Sequence, residues 1–252
     1  MRRRIATDAA LVVALMAQAC GGDDDDAREE LVVSAASSLT EPLEAYGETT
    51  DADEKFSFAG ADELAAQIRR GAPVDVFASA NTSLPDALFD EGLVEKPEVF
   101  ISNQLVLAVP AGSDVVGLGG LEREDVDLVI GAEGVPVGDY TREVLGKLPE
   151  DASDVILGQV RSEEPDVKSI VGKLVAGAAD AGFVYASDVD ATNGDLVAIE
   201  LPSSLEPVVT YGAAEVADAE NPEGAQGFID SLVRGEAHEL LLEAEFLEPE
   251  GE

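Results

Sequence analysis

The sequence alternates short β-rich runs with amphipathic segments of helical period along most of its 252 residues. The strand-like runs are LVVSA, KFSFAG, VDVFASA, QLVLAVP, DLVIGA, VILGQV, GFVYAS, LVAIELP and PVVTYGA. Between them, apolar residues recur at spacings of three and four, as in Leu64, Ala65 and Ile68. This alternation predicts an α/β fold with mostly parallel sheets, and the number of strands favours two sheets over one.

The N-terminus carries the pattern of an export signal. Three arginines follow Met1, and the apolar run of residues 9–19 is far shorter than the ~20 residues of a membrane-spanning helix. Cys20 follows a small residue and is the chain's only cysteine, so it has no partner for an internal disulfide. We interpret residues 1–19 as a signal peptide and Cys20 as a lipid-attachment site. An ordinary signal segment that happens to contain a cysteine remains the alternative to lipid attachment, because Ala17 stands where a lipobox prefers leucine.

Acidic residues dominate the rest of the chain. Directly after Cys20 comes GGDDDDAREE, and we predict that residues 20–29 form a solvated tether, because a block of like charges repels itself and stays extended. The formal net charge is -38, which disfavours nucleic-acid binding because no basic stripe is available to neutralise phosphates. Salt screens such self-repulsion, so we interpret the charge as adaptation to a high-salt environment.

Four loops join a predicted strand to a predicted helix, the places where open α/β sheets bind ligands. They are residues 34–39, 58–62, 134–140 and 164–168, and a fifth element, residues 182–188, is a strand that carries Tyr185. They offer backbone N–H groups and neutral hydroxyls, with Lys168 as the one cation placed where a strand gives way to a helix. Helix N-termini supply unpaired donors and a favourable dipole end, so a pocket of this kind suits a fully ionised oxyanion.

Five segments carry a resemblance to a known family. In order they are VVSAASSLTE, FAGADELAAQIRRGAPVDVFASAN, ISNQLVLAVP, GVPVGDYTREVL and DVKSIVGKLVAGAADAGFVYASD. Together they resemble the periplasmic molybdate-binding proteins of ABC transporters, from about residue 31 to residue 247. The resemblance implies a type II periplasmic-binding-protein fold: two α/β lobes, joined by a two-stranded hinge, that close over one tetrahedral oxyanion. It implies that residues 30–107 and 210–252 form the first lobe and residues 108–209 the second.

The same resemblance implies an oxyanion site with contributions from both lobes. The serine of the family motif A-A-S-L-T falls on Ser38, whose hydroxyl and N–H would hold the anion. Main-chain donors fall on Val137 and Val167. The tyrosine of G-I-V-Y-G-S-D, which donates through its hydroxyl, falls on Tyr185.

One position departs from the family pattern. The family's second serine falls on Ala61, which offers its backbone N–H and no hydroxyl, and we nominate Ser37 as the replacement donor. Asp62, beside Ala61, has two possible roles. Its negative charge in the first turn interacts favourably with the helix dipole, or its carboxylate accepts the proton of a monohydrogen phosphate. Ser37 and Ser38 would also serve as N-caps without any ligand, and Tyr185 would serve as a core aromatic.

The implied protein is an extracytoplasmic, lipid-anchored monomer that binds molybdate or tungstate, needs no cofactor and delivers its ligand to an ABC permease. Its membrane contact would be the lipid anchor alone. Sulfate or phosphate as ligand, or a surface module without a small ligand, stay open as alternatives. An enzyme is disfavoured, because the single histidine, His238, follows no G-x-S-x-G elbow. Residues 188–194 resemble a calcium loop but break its ligand spacing, so no metal site is predicted.

Overall fold

The computed structural model describes residues 30–50, 52–123 and 125–249. The predicted signal peptide, Cys20 and the tether therefore lie outside the described residues. The strands are β1 (Leu31–Ala36), β2 (Glu54–Ala59), β3 (Val76–Ser79), β4 (Glu98–Asn103), β5 (Leu105–Pro110), β6 (Leu128–Gly131), β7 (Val160–Glu164), β8 (Ala181–Tyr185), β9 (Leu196–Glu200) and β10 (Val209–Glu215). The α-helices are α1 (Thr40–Thr49), α2 (Ala61–Arg69), α3 (Ser83–Asp90), α4 (Pro136–Gly146), α5 (Glu150–Gly158), α6 (Val167–Val175), α7 (Ala186–Asp190), α8 (Pro222–Arg234) and α9 (Glu236–Glu243).

The strands form two five-stranded sheets, ordered β2-β1-β3-β10-β4 and β7-β6-β8-β5-β9. We call the first sheet with its helices lobe 1 and the second lobe 2, so the predicted two-lobed α/β fold is confirmed. The expectation of mostly parallel sheets is corrected to mixed sheets, because β10 runs antiparallel to β3 and β4, and β5 antiparallel to β8 and β9. Strands β5 and β10 are each the first strand after the chain passes from one sheet to the other. Each runs antiparallel to both of its neighbours in the sheet that it joins.

Two segments of the described chain cross between the lobes. The first is the single residue Gln104, because β4 ends at Asn103 in lobe 1 and β5 begins at Leu105 in lobe 2. The second is the connection from β9 in lobe 2 to β10 in lobe 1. The predicted lobe boundaries, after residues 107 and 209, remain predictions.

Local sequence patterns explain where most of the helices and strands form. In α2, Leu64, Ala65 and Ile68 are buried, as their spacing requires of a helix that packs one face on a sheet. The strand predicted for VILGQV is wrong, because its first four residues lie in α5. A short apolar run does not separate helix from strand, and the signals that decide it are Pro149 at the N-cap with acids in the first turn.

Strand β4 was absent from the predicted strands. It is an edge strand that begins with two exposed residues, Glu98 and Val99, after a charged and proline-containing segment, so its apolar pattern is weak. Within the described ranges, no helix has the length and apolarity needed to cross a membrane.

Candidate functional site

A small cavity lies between the two lobes. Its lining residues are Ala36, Ser37, Ser38, Ala59, Gly60, Ala61 and Ala80 from lobe 1, and Val135, Pro136, Val137, Asp166, Val167 and Tyr185 from lobe 2. The structure thus brings together all six residues that the sequence singled out: Ser37, Ser38, Ala61, Val137, Val167 and Tyr185. About 220 Å³ of space, part of it open solvent, lies within this lining, and the lining contains no lysine, arginine or histidine.

Helix N-termini converge on this cavity. A 3₁₀ turn begins at Ser37, α2 begins at Ala61, α4 at Pro136 and α6 at Val167. Each follows a strand whose carboxyl end points to the cleft, so the topology of both sheets delivers helix starts to one place. The first N–H groups of a helix have no intrahelical acceptor and carry the positive end of the dipole. The cavity therefore favours negative charge although no basic side chain lines it.

The two adjacent serines do not act as helix caps. Neither the 3₁₀ turn nor α1 has a side-chain hydrogen bond at its N-cap. Ser38 instead places its Oγ 2.9 Å from the hydroxyl of Tyr211. Ser37 accepts a 2.7 Å hydrogen bond from the Thr40 hydroxyl through its backbone carbonyl. Both serines are buried at the cavity wall, so their placement calls for another role than capping.

Tyr185 lines the cavity and carries a buried hydroxyl. Its side chain is 1% exposed, and its OH has no hydrogen-bond partner among the described residues. Burial raises the pKa of this hydroxyl well above its usual value, so it stays a neutral O–H. An unsatisfied buried polar group costs about 1–3 kcal/mol. A ligand with an acceptor oxygen at this position would remove that cost, which fits an oxyanion.

The carboxylates of Asp166 and Asp62 lie close to the helix N-termini at the cavity. Asp166 lines the wall, but its Oδ1 accepts a 2.8 Å hydrogen bond from the Ser169 N–H as the N-cap of α6. Asp62 is half-buried in the first turn of α2, outside the lining. Its Oδ1 has no hydrogen-bond partner in the described chain, and burial raises the pKa of Asp62 while the backbone N–H groups of Glu63 and of Asp62 itself oppose the rise.

Lys168, the cation expected at a strand-to-helix loop, pairs with carboxylates and is absent from the cavity lining. Its Nζ lies 2.6 Å from Glu41 Oε2 and 3.2 Å from Asp188 Oδ1. The second contact is an ion pair without hydrogen-bond geometry. Burial raises the pKa of Asp188 to about 6, although Lys168 opposes the rise.

The loop that resembled a calcium site is a turn. Asn193 and Gly194 adopt positive φ angles of 54° and 99° before β9, and Asp188 faces Lys168. In the part of the chain that the structure describes, no group of three or more His, Cys, Asp or Glu residues is arranged to hold a metal ion.

Over residues 31–246, the sequence matches the family described as "Bacterial extracellular solute-binding protein". The chain belongs to that family. Its relatives include "Molybdate-binding protein ModA" of Mycobacterium tuberculosis, 31% identical over 223 residues that cover 85% of this chain and 83% of the relative. Another, from Bacillus subtilis, is "Putative ABC transporter substrate-binding lipoprotein YvgL", 26% identical over 82% of each chain.

Two solved structures place this solute-binding protein among similar folds. The substrate-binding domain of a putative molybdenum ABC transporter from Clostridium difficile has a TM-score of 0.64 and 28% identity, with 87% of this chain and 98% of that chain covered. The periplasmic molybdate-binding protein of Azotobacter vinelandii has a TM-score of 0.77 and 21% identity, with 87% and 100% covered. Members of the family bind solutes for transport and are not enzymes. In this member, His238 contacts the Leu232 carbonyl and Glu248, and it does not line the cavity.

Proposed function

We propose that this solute-binding protein captures molybdate outside the cytoplasm and presents it to an ABC permease. The observation that carries the proposal is the cavity at which helix N-termini from both lobes meet without a basic side chain in the lining. The relatives support the choice of anion, since the Mycobacterium tuberculosis protein is named for molybdate.

In this proposal, each of the six singled-out residues has a role. Ser38 donates through its hydroxyl and N–H, and Tyr185 donates through its hydroxyl. Ala61, Val137 and Val167 donate through their backbone N–H groups, and Ser37 supplies the hydroxyl that Ala61 lacks. A hydrogen bond to a charged group contributes about 1.5–3 kcal/mol. Five or so such bonds, less the cost of association, are enough for micromolar to nanomolar affinity.

Binding would close the lobes, because no single lobe holds all the donors. Ser37, Ser38 and Ala61 belong to lobe 1, and Val137, Val167 and Tyr185 belong to lobe 2. A ligand shifts a conformational equilibrium by its differential affinity for the two states. The anion that bridges both sets of donors has that differential affinity for the closed state.

Selectivity would follow from size and protonation. Donors spaced for molybdate leave the smaller sulfate with stretched hydrogen bonds, and a set of donors leaves the hydroxyl of monohydrogen phosphate without an acceptor. Molybdate and tungstate are alike in size and charge, so both are expected to bind. Asp62 Oδ1, which has no hydrogen-bond partner among the described residues, lies beside this site, so phosphate remains the alternative anion to be tested.

The cellular setting is part of the proposal. A signal peptide followed by Cys20 would export the chain and anchor it by lipid, which the lipoprotein name of the Bacillus subtilis relative supports. The acidic residues 20–29 would hold the lobes away from the membrane, and the protein would act as a monomer.

Calorimetric titration at high salt tests the proposal. Molybdate, tungstate, sulfate and phosphate are titrated in turn into the purified mature chain. We expect saturable binding of molybdate and tungstate and at least about tenfold weaker binding of sulfate and phosphate. Preference for phosphate would assign the site to the alternative anion, and no heat with any of the four would reject an oxyanion site. A rise in melting temperature with molybdate provides an independent check by mass action.

A further inference from the structure

Tyr211 contacts the cavity only through another residue. It lies on β10, is fully buried and is absent from the cavity lining. Its hydroxyl lies 2.9 Å from Ser38 Oγ, and either oxygen could be the donor. Its ring is fixed by edge-to-face contacts with Tyr185, Phe100 and Phe246. The position of the Tyr211 hydroxyl oxygen is therefore fixed, and only the direction of its O–H bond can vary.

The side chain of the neighbouring Asn103 has a determined orientation. Its Oδ1 accepts a 2.8 Å hydrogen bond from the Gln104 backbone N–H, which can only donate, so the amide orientation is determined. The amide nitrogen donates to Ser187 Oγ at 2.8 Å. Burial raises the pKa of Tyr211 well above its usual value, and hydrogen bonds with Ser38 and Asn103 oppose that rise. The second N–H of the Asn103 amide remains available to donate toward the Tyr211 oxygen.

We propose that Tyr211 is a positioning residue that orients the Ser38 hydroxyl toward the bound oxyanion. An oxyanion offers only acceptors, so Ser38 must donate its one proton to the anion, and the 2.9 Å hydrogen bond with Tyr211 is then donated by the Tyr211 hydroxyl. A serine hydroxyl has one proton, and with its oxygen already accepting from Tyr211, that proton is left for the cavity. The two hydroxyls thus donate in one direction, from Tyr211 to Ser38 and from Ser38 into the cavity.

This inference rests on the proposed function and refines its selectivity. Molybdate is fully ionised at neutral pH and offers only acceptors, so it gains from a serine whose proton is already aimed at it. Monohydrogen phosphate carries one O–H and gains less from a fixed donor. Without Tyr211, Ser38 could rotate and accept from that O–H. Tyr211 would therefore favour unprotonated over protonated oxyanions, without touching either.

The first test compares Tyr211→Phe with the wild type by calorimetry, using sodium molybdate and, separately, inorganic phosphate at mildly alkaline pH. We expect the variant to bind molybdate about fivefold to tenfold more weakly, as loss of one ordinary hydrogen bond implies. The ratio of molybdate to phosphate affinity should fall as well. Tyr46→Phe is the matched control, because Tyr46 is a buried tyrosine with a hydrogen bond to Ser231 and lies outside the cavity lining.

A double-mutant cycle distinguishes positioning from general stability. If Tyr211 acts through Ser38, Tyr211→Phe has no further effect on molybdate affinity in a Ser38→Ala background. Its effect on the melting temperature without ligand persists in both backgrounds. Equal losses of affinity in both backgrounds, or an unchanged affinity beside a lowered melting temperature, would overturn the inference. Wild-type protein that binds no molybdate would instead reject the proposed function itself, and this inference with it.

Discussion

Lys168 Nζ lies 2.6 Å from Glu41 Oε2, and this ion pair joins the two lobes beside the cavity. Lys168 is in the first turn of α6 in lobe 2, and Glu41 is in the first turn of α1 in lobe 1. The Lys168 side chain is 26% exposed, so water and salt screen the pair less than a fully exposed one. We infer that the pair stabilises the closed arrangement of the lobes.

Glu41→Gln should therefore speed release of molybdate. The substitution removes the charge opposite Lys168 and leaves the cavity wall intact, so we expect a dissociation rate about twofold to fivefold higher, with little change in association. Stopped-flow fluorescence at constant high salt measures both rates. Glu44→Gln, at an exposed position on the same helix, is the control. Equal rates in the two variants would show that the pair has no part in closure.

Gly60→Ala should prevent full closure. A Cβ on Gly60 would lie 2.3 Å from the carbonyl oxygen of Pro165, a backbone atom of the opposite lobe, although the φ of −59° suits alanine. We expect the unliganded melting temperature to stay unchanged and molybdate affinity to fall by about tenfold or more. Small-angle scattering should show no contraction with ligand. Gly227→Ala, where a Cβ meets nothing within 4 Å, is the control. Normal affinity in Gly60→Ala would mean that the lobes do not approach this closely when the anion binds.

Tyr185→Phe should separate affinity from stability. Loss of a hydrogen bond to an anion weakens binding by about tenfold or more. Without ligand, removal of a buried hydroxyl that has no partner in the described chain should leave the melting temperature unchanged or raise it. Calorimetry and thermal melting, with and without molybdate, measure both effects. A variant with unchanged affinity would remove Tyr185 from the proposed donors.

Asp188→Asn should change how stability depends on pH. Burial raises the pKa of Asp188 from 3.8 to about 6, with Lys168 and the backbone N–H of Tyr185 opposing the rise and Glu41 adding to it. The folded state therefore binds the proton more tightly than the unfolded state. Stability from this group is present below the unfolded pKa and is lost as pH rises through about 6.

Relative to Asp188→Asn, the wild type should lose up to about 3 kcal/mol of unfolding free energy between about pH 4 and pH 7. Urea unfolding at constant salt across this range measures the difference. Asp190→Asn, at an exposed position on the same helix, should show no such trend. A difference that does not vary with pH would contradict a raised pKa at Asp188.

The sequence predicted the features of the fold that depend on local patterns of apolar and polar residues. Alternating runs predicted the α/β fold, and apolar spacing located α2. The candidate site residues came from the resemblance and lie together around the cavity. Pattern failed where local signals were ambiguous, as in α5, or weak, as in β4. The bond between Ser38 and Tyr211 spans 173 positions, and no local pattern encodes such a contact.

The contact between Gly60 and Pro165 was also beyond sequence reasoning. It exists only when two lobes meet, so it depends on the closed arrangement and not on either segment alone. The same holds for Lys168, which the sequence placed at a strand-to-helix loop without its partner Glu41 in the other lobe.

A crystal structure of the mature chain with tungstate bound, phased at the tungsten absorption edge, tests the central proposal most directly. We predict one anomalous peak in the cavity, with oxyanion oxygens about 2.6–3.2 Å from the Ser38 and Tyr185 hydroxyls and from the backbone nitrogens of Ala61, Val137 and Val167. A peak at any other place, or a tungstate held by basic side chains, would contradict the proposal that uncharged donors of both lobes enclose the anion.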